Sequence, residues 1–166
     1  MKIAVFGGTG FVGSYIIDEL LNNDHEPVVL VRKGSESKLS NSEKCEIISG
    51  NLSDIESIES TIKGTDAVIY CVGIIREFPS KGVTFEKLHF QGAKECIDTA
   101  SAMNVKRFIM MSANGVKVDG TGYQKTKYLA EEYLKFSNIN WTIFRPSLIF
   151  GDPRGCLLYT SDAADE

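Results

Sequence analysis

The chain has 166 residues, 43% of them hydrophobic and 24% charged, with a net charge of −4. That length and balance fit one globular domain with a sizeable core and exclude a disordered chain. The acidic balance, with no basic stripe, argues against a nucleic-acid partner or an anionic membrane surface, and no apolar run approaches the roughly 20 residues of a membrane span. Cys45, Cys71, Cys96 and Cys156 are scattered, with no CxxC spacing and no histidine cluster. They read as buried free thiols in a reducing compartment, with neither a metal site nor a disulfide framework. The start, MKIAVFGG, leads directly into an apolar run, so no leader is expected and the cytoplasm is the expected location.

In chain order, Ile3-Ala4-Val5-Phe6 is too short and too β-rich for a helix and predicts a buried strand. Gly7, Gly10 and Gly13 follow at three-residue spacing. A helical pattern through Tyr15, Ile16, Ile17, Leu20 and Leu21 comes next and ends near Asn22-Asn23. Strand, glycine turn and helix in that order form the context of a dinucleotide-binding fingerprint. Gly7 permits the tight turn, Gly10 leaves room for a pyrophosphate, and Gly13 lets the helix pack close. The helix N-terminus offers free N–H groups and a positive dipole end.

Pro27 to Arg32 predicts a second buried strand, followed by a polar loop from Lys33 to Ser42 and a third strand at Cys45–Ile48. Ser53 with Glu56 three residues later suggests a capping box and a helix running to about Lys63, which Gly64 stops. Asp66–Cys71 is a fourth strand, turned by Val72-Gly73. A loop holding Pro79 and Gly82 leads into a long helical stretch from about Thr84 to Met103. Val105–Met110 is the fifth strand, Ser112–Gly122 a polar loop, Tyr123–Ser137 a helix, and Trp141–Phe144 the sixth strand. Alternating strands and helices imply a doubly wound, three-layer αβα Rossmann fold with a parallel sheet of about six strands. Ligand is expected across the C-terminal strand ends, at the switch point beside the first strand. Phe85, Leu88 and Ile97 are expected to face the core, His89 to be packed or polar-satisfied, and His25 to lie in a polar turn.

The end of the second strand bears on the cofactor. An acidic residue about 20 positions beyond the glycines holds the ribose 2′-OH of NAD, whereas an Arg accommodates a 2′-phosphate. Arg32 stands there, with Lys33 and Ser35 beside it and no acid before Glu36. NADP(H) is therefore expected over NAD(H).

These residues resemble the extended and atypical short-chain dehydrogenase/reductases. The stretch GGTGFVG, comprising Gly7, Gly8, Thr9, Gly10, Phe11, Val12 and Gly13, looks like their phosphate loop. Gly50-Asn51-Leu52 looks like the segment that contacts adenine, with Asn51 where the family more often has Asp. Tyr70-Cys71-Val72-Gly73 is similar to the turn that runs under the cofactor, and His89 falls where the family has a helix Asn. Phe144-Arg145-Pro146 and Ile149-Phe150-Gly151 resemble the family's Arg-Pro motif and the turn after it. Together these imply cofactor contacts from the phosphate loop, Arg32, Lys33, Asn51, Leu52, Cys71, Val72, Gly73, Lys127 and Pro146.

The resemblance also implies a catalytic set. Tyr123-Gln124-Lys125-Thr126-Lys127 contains Tyr-x-x-x-Lys, two side chains on one helix face. In the family the Tyr is the general acid/base. The Lys lowers its pKa and binds the nicotinamide ribose, and Ser112 would polarise the substrate oxygen. Ser112 and Tyr123 are eleven positions apart, a shorter loop than in active extended members. The segments 108–115, 123–132 and 141–151 are most similar to an atypical branch related to the nucleotide-binding accessory subunit of respiratory complex I. That branch implies a structurally bound NADPH and a possible place in a respiratory complex. Two functions thus stand open: an oxidoreductase or sugar-nucleotide epimerase/dehydratase, and a non-catalytic NADPH-binding scaffold or redox reporter. The substrate stays unnamed.

The last eleven residues, Cys156 to Glu166, do not resemble the family and look like a translated sequencing adapter. The expectation is a dinucleotide-binding domain over 1–155, truncated before the substrate-binding region, with a non-native tail over 156–166. Such a chain is expected to bind cofactor without turnover.

Overall fold

A computed structural model describes residues 1–39 and 41–152; the expected domain limit at 155 and the tail at 156–166 lie outside the described residues. Six strands form one sheet: β1 (Lys2–Phe6), β2 (Glu26–Val31), β3 (Glu46–Ser49), β4 (Ala67–Tyr70), β5 (Arg107–Met111) and β6 (Asn140–Phe144). Their order is β3-β2-β1-β4-β5-β6, and every neighbouring pair is parallel. The helices are α1 (Phe11–Asn22), α2 (Ile55–Ile62), α3 (Gly92–Ala102) and α4 (Gly122–Lys135). This is the doubly wound fold that the alternating pattern predicts.

The alternation of side chains along each strand sorts the core into two layers. Ala4, Phe6, Val68, Tyr70, Phe108 and Met110 point to one face and meet Ile58, Ile62, Cys96, Ile97, Ala130 and Leu134 of α2, α3 and α4. Ile3, Val5, Val29, Val31 and Ile69 point to the other face, against Ile17 of α1. The chain reverses its direction of winding after β3, so β1 and β4 lie side by side with connections leaving on opposite faces. That opens the crevice at their C-terminal ends.

Two local features depart from the sequence pattern, and a third follows a spacing that the sequence carries. The cap of α2 is Asp54, not Ser53: the Asp54 carboxylate accepts from the Glu56 N–H at 3.2 Å and from the Ser57 hydroxyl. The Ser53 N–H is instead taken by Asn51 Oδ1 at 2.8 Å, which removes Ser53 from the helix start. The long helix expected from Thr84 begins with a π-helical stretch, Glu86–Gln91, before α3. Within it the Leu88 carbonyl accepts from the buried Tyr70 hydroxyl at 2.5 Å, and a side chain bonding into the ladder favours a widened turn. Finally, α4 starts with a reciprocal box. The Thr121 hydroxyl accepts from the Gln124 N–H, and Gln124 Oε1 accepts from the Thr121 N–H. The T-x-x-Q spacing carried that signal.

Candidate functional site

The glycine loop leaves β1 at the crevice. Gly7 adopts φ +98°, and a Cβ there would come within 3.0 Å of the Cys71 carbonyl carbon and the Val72 nitrogen. The phosphate loop therefore lies against the turn after β4. Gly13 is tighter still, its position lying 2.0 Å from the Gly7 oxygen for any added Cβ. The loop closes on itself, with the Gly10 N–H donating to the Gly7 carbonyl at 3.0 Å. Gly10 is the N-cap of α1, and no side chain caps that helix. Its first-turn N–H groups and positive dipole end are thus left to a phosphate, the arrangement that a pyrophosphate requires. Thr9 and Val12 are partly exposed along this loop, while Phe11 is buried and packs edge-on to Tyr15 at 5.8 Å.

The remaining cofactor candidates are spread along the same edge. Arg32 and Lys33 are exposed just beyond β2. Asn51 is exposed with its carbonyl already accepting from Ser53, and Leu52 leans onto the core layer of α2 to α4. The Pro146 carbonyl accepts from the Asn114 N–H at 2.8 Å, which extends the β5–β6 pairing beyond the strands.

Lys127 links these parts. It is buried, 5% exposed, and its Nζ donates to the Val72 carbonyl at 3.2 Å and to the Met111 carbonyl at 2.9 Å. It therefore ties the ends of β4 and β5 to α4. Burial pushes its ammonium down to about 8, against the pull of Cys71 and Glu131. The Cys71 thiol donates to the Phe6 carbonyl at 3.1 Å, and burial pushes it up to about 12 although Lys127 acts in the other direction. Cys71 is half-buried under the crevice, and its thiol stays protonated at neutral pH. Tyr123, one turn earlier on α4, is half-buried and fitted against two rings, Phe85 at 5.7 Å and His89 at 5.1 Å.

Ser112 follows β5 directly. Its backbone N–H pairs with the Phe144 carbonyl at 2.8 Å, but the side chain is buried, 3% exposed, and Oγ lacks a hydrogen-bond partner of good geometry.

Glu131, four residues past Lys127 on the same helix face, is a site residue that the sequence reading does not single out, although that spacing is its signal. It is fully buried and receives a two-pronged grip from Arg145. Nε donates at 2.9 Å to one oxygen and at 3.2 Å to the other, which also takes a terminal nitrogen. Burial works against the carboxylate, but the Arg145 hydrogen bonds and the charges of Arg145 and Lys135 hold it below the usual range. The pair anchors the Arg-Pro segment to α4.

Arg145→Met leaves a buried carboxylate whose remaining ion pair among the described residues is Lys135 at 3.9 Å. Removing one partner of a buried pair costs several kcal/mol, and because Arg145 is half exposed the expected loss at pH 7 is about 2 kcal/mol. Glu131 has a depressed pKa in the folded state, so the pair's contribution is full above the ordinary carboxyl value of 4.5 and disappears as pH falls through the folded value. Urea titrations of variant and wild type should differ at pH 7 and converge in acid. Equal midpoints at pH 7 would show that the pair contributes nothing.

The chain matches the family model described as NAD(P)H-binding over residues 7–165. It is 28% identical to the mitochondrial NADH-ubiquinone oxidoreductase 40 kDa subunit of Neurospora crassa, over 89% of this chain and 40% of that protein. It is 30% identical to the photosystem II assembly factor Ycf39 of Cyanophora paradoxa, over 87% of this chain and 44% of that protein. The chain thus spans less than half the length of these two relatives. Among solved structures it superposes on a Bacillus halodurans protein, described provisionally as an NAD-dependent epimerase/dehydratase, with a TM-score of 0.79. That match has 30% identity and covers 92% of this chain and 72% of that one. With an open glycine cradle, a buried Lys linking β4, β5 and α4, and these matches, the chain belongs to the NAD(P)H-binding family as an atypical short-chain dehydrogenase/reductase.

Proposed function

We propose that the chain forms the cofactor half of an NADP(H)-dependent oxidoreductase or epimerase acting on a carbonyl or secondary hydroxyl. The observation that carries this is Lys127, buried at the crevice between the β4 and β5 ends and one helical turn from Tyr123. The bound dinucleotide would supply the hydride. Tyr123 would exchange the proton with the substrate oxygen, and the Lys127 ammonium would favour the phenolate and hold the nicotinamide ribose. Hydride transfer from NADPH by the whole protein, followed at 340 nm across carbonyl and sugar-nucleotide substrates, tests this. Absence of turnover on every substrate, with NADPH still bound, refutes it.

A second function is supported by Ser112, whose hydroxyl is buried and withdrawn from solvent. A site without that polarising group would hold NADPH as a structural part, since a ligand bound only by the folded state stabilises it by mass action. The Neurospora relative makes association with a respiratory complex part of this second proposal. Three free thiols among the described residues support a reducing, cytoplasmic setting.

Arg32 and Lys33 support NADPH over NADH. The two exposed cations at the β2 end suit a 2′-phosphate, and a charge-assisted pair there is expected to favour NADPH by about tenfold. Fluorescence titration of both cofactors measures the ratio, and Arg32→Ala should bring it close to one. Tighter binding of NADH by the unmodified chain would overturn the preference.

A further inference from the structure

We infer that His89 is a positioning residue: a neutral imidazole, held in one tautomer, that braces the cofactor turn after β4 against helix α4 and fixes the ring of Tyr123. This rests on the assignment of Tyr123 and Lys127 above. His89 is 1% exposed and sits on the π-helical stretch. The Ile74 N–H donates to its Nε2 at 3.1 Å, so the lone pair of that nitrogen is committed. The proton therefore sits on Nδ1, which donates to Thr126 Oγ1 at 3.3 Å. Thr126 in turn donates its own proton to the Gly122 carbonyl at 2.8 Å. The direction of all three hydrogen bonds is fixed by the first, because a backbone N–H can only donate.

Both ends of this brace reach the proposed chemistry. Ile74 follows Val72-Gly73, and the Val72 carbonyl accepts from Lys127. Thr126 precedes Lys127 on α4, and Gly122 precedes Tyr123. The ring also packs: Phe85 stacks on it at 5.3 Å and 25°, while Tyr123 meets it edge-on at 5.1 Å and 89°. The Phe85 ring closes the third side against Tyr123 at 5.7 Å. The widened turn places the ring there, since the Tyr70 hydroxyl bonds the Leu88 carbonyl beside it. Lys127 on α4 is the charged group facing the imidazole. Burial, followed by that charge, pushes it down to about 3, so no second cation competes with Lys127 beside Tyr123.

A space-filling ring and a bridging ring predict opposite rankings of variants. Asn can accept from Ile74 and donate to Thr126 but is small; Phe fills the space and does neither. His89→Phe strands a buried donor, and the NADPH dissociation constant is expected to rise about tenfold, with His89→Asn recovering it to within about threefold. Thr126→Val, which removes the far acceptor together with the hydroxyl's own bond to the Gly122 carbonyl, is the second variant should His89→Phe fail to fold, and a rise in the same constant is expected. Nitrogen-15 NMR of histidine-labelled protein reads the tautomer directly, because the chain has two histidines and His25→Gln identifies the other. The expected signal is a neutral ring protonated at Nδ1 throughout pH 6–8. An Nε2-protonated or cationic ring, or Phe binding NADPH better than Asn, overturns the proposal. A wild-type protein that does not bind NADPH refutes the cofactor assignment instead, and the NMR tautomer then decides the brace by itself.

Discussion

Gly13→Ala is expected to abolish dinucleotide binding. The added methyl would lie 2.0 Å from the Gly7 oxygen and 2.8 Å from the Gly7 carbon and the Gly8 Cα. All three are backbone atoms of the loop itself, so no side chain can rotate away, and β1 and α1 must separate instead. Overpacking of this kind costs about 3 kcal/mol or more. The same displacement would move the first-turn N–H groups of α1 away from bound phosphates, so a loss of affinity is expected beside the loss of stability. Cofactor fluorescence and a thermal melt on the same preparation check both. An alanine variant with unchanged affinity would show that the loop is not the phosphate cradle.

Tyr123→Phe should separate chemistry from binding. The Phe85 and His89 rings hold the aromatic body of Tyr123, and phenylalanine keeps that packing. What is lost is the hydroxyl, and removing a positioned acid/base group lowers turnover by about 10²- to 10⁴-fold. NADPH affinity should stay within about threefold, because the Lys127 contacts to Val72 and Met111 do not involve Tyr123. Steady-state rates beside a binding titration distinguish the effects. Turnover that survives the change removes Tyr123 from the mechanism, and a matched fall in affinity would make it a packing residue.

The two variants sit on features of different legibility. Gly13 could be singled out from spacing alone, because strand, glycine turn and helix are set by residues within about a dozen positions of one another. The strands, whose apolar runs are bounded by turn residues, were legible for the same reason. The helix from Thr84 was legible as a helix, but its π-helical start was not, since that depends on Tyr70 eighteen residues earlier. Ser53 looked like a cap because Glu56 follows it at the right distance, yet Asn51 competes for its N–H and Asp54 is better placed.

Periodicity and glycine spacing are local properties, and they suffice for a parallel αβα domain, a dinucleotide cradle and a Tyr–Lys pair on one helix face. What surrounds that pair depends on how distant segments come together. Glu131 from α4 and Arg145 beyond β6 pair there, 14 positions apart in the chain and in no local pattern. His89 becomes a brace because β4 and α4 converge there, with partners 15 and 37 positions away in the chain. Hydrogen bonds in a buried site go to whichever groups the strand order brings within about 3 Å. That order is a property of the folded sheet.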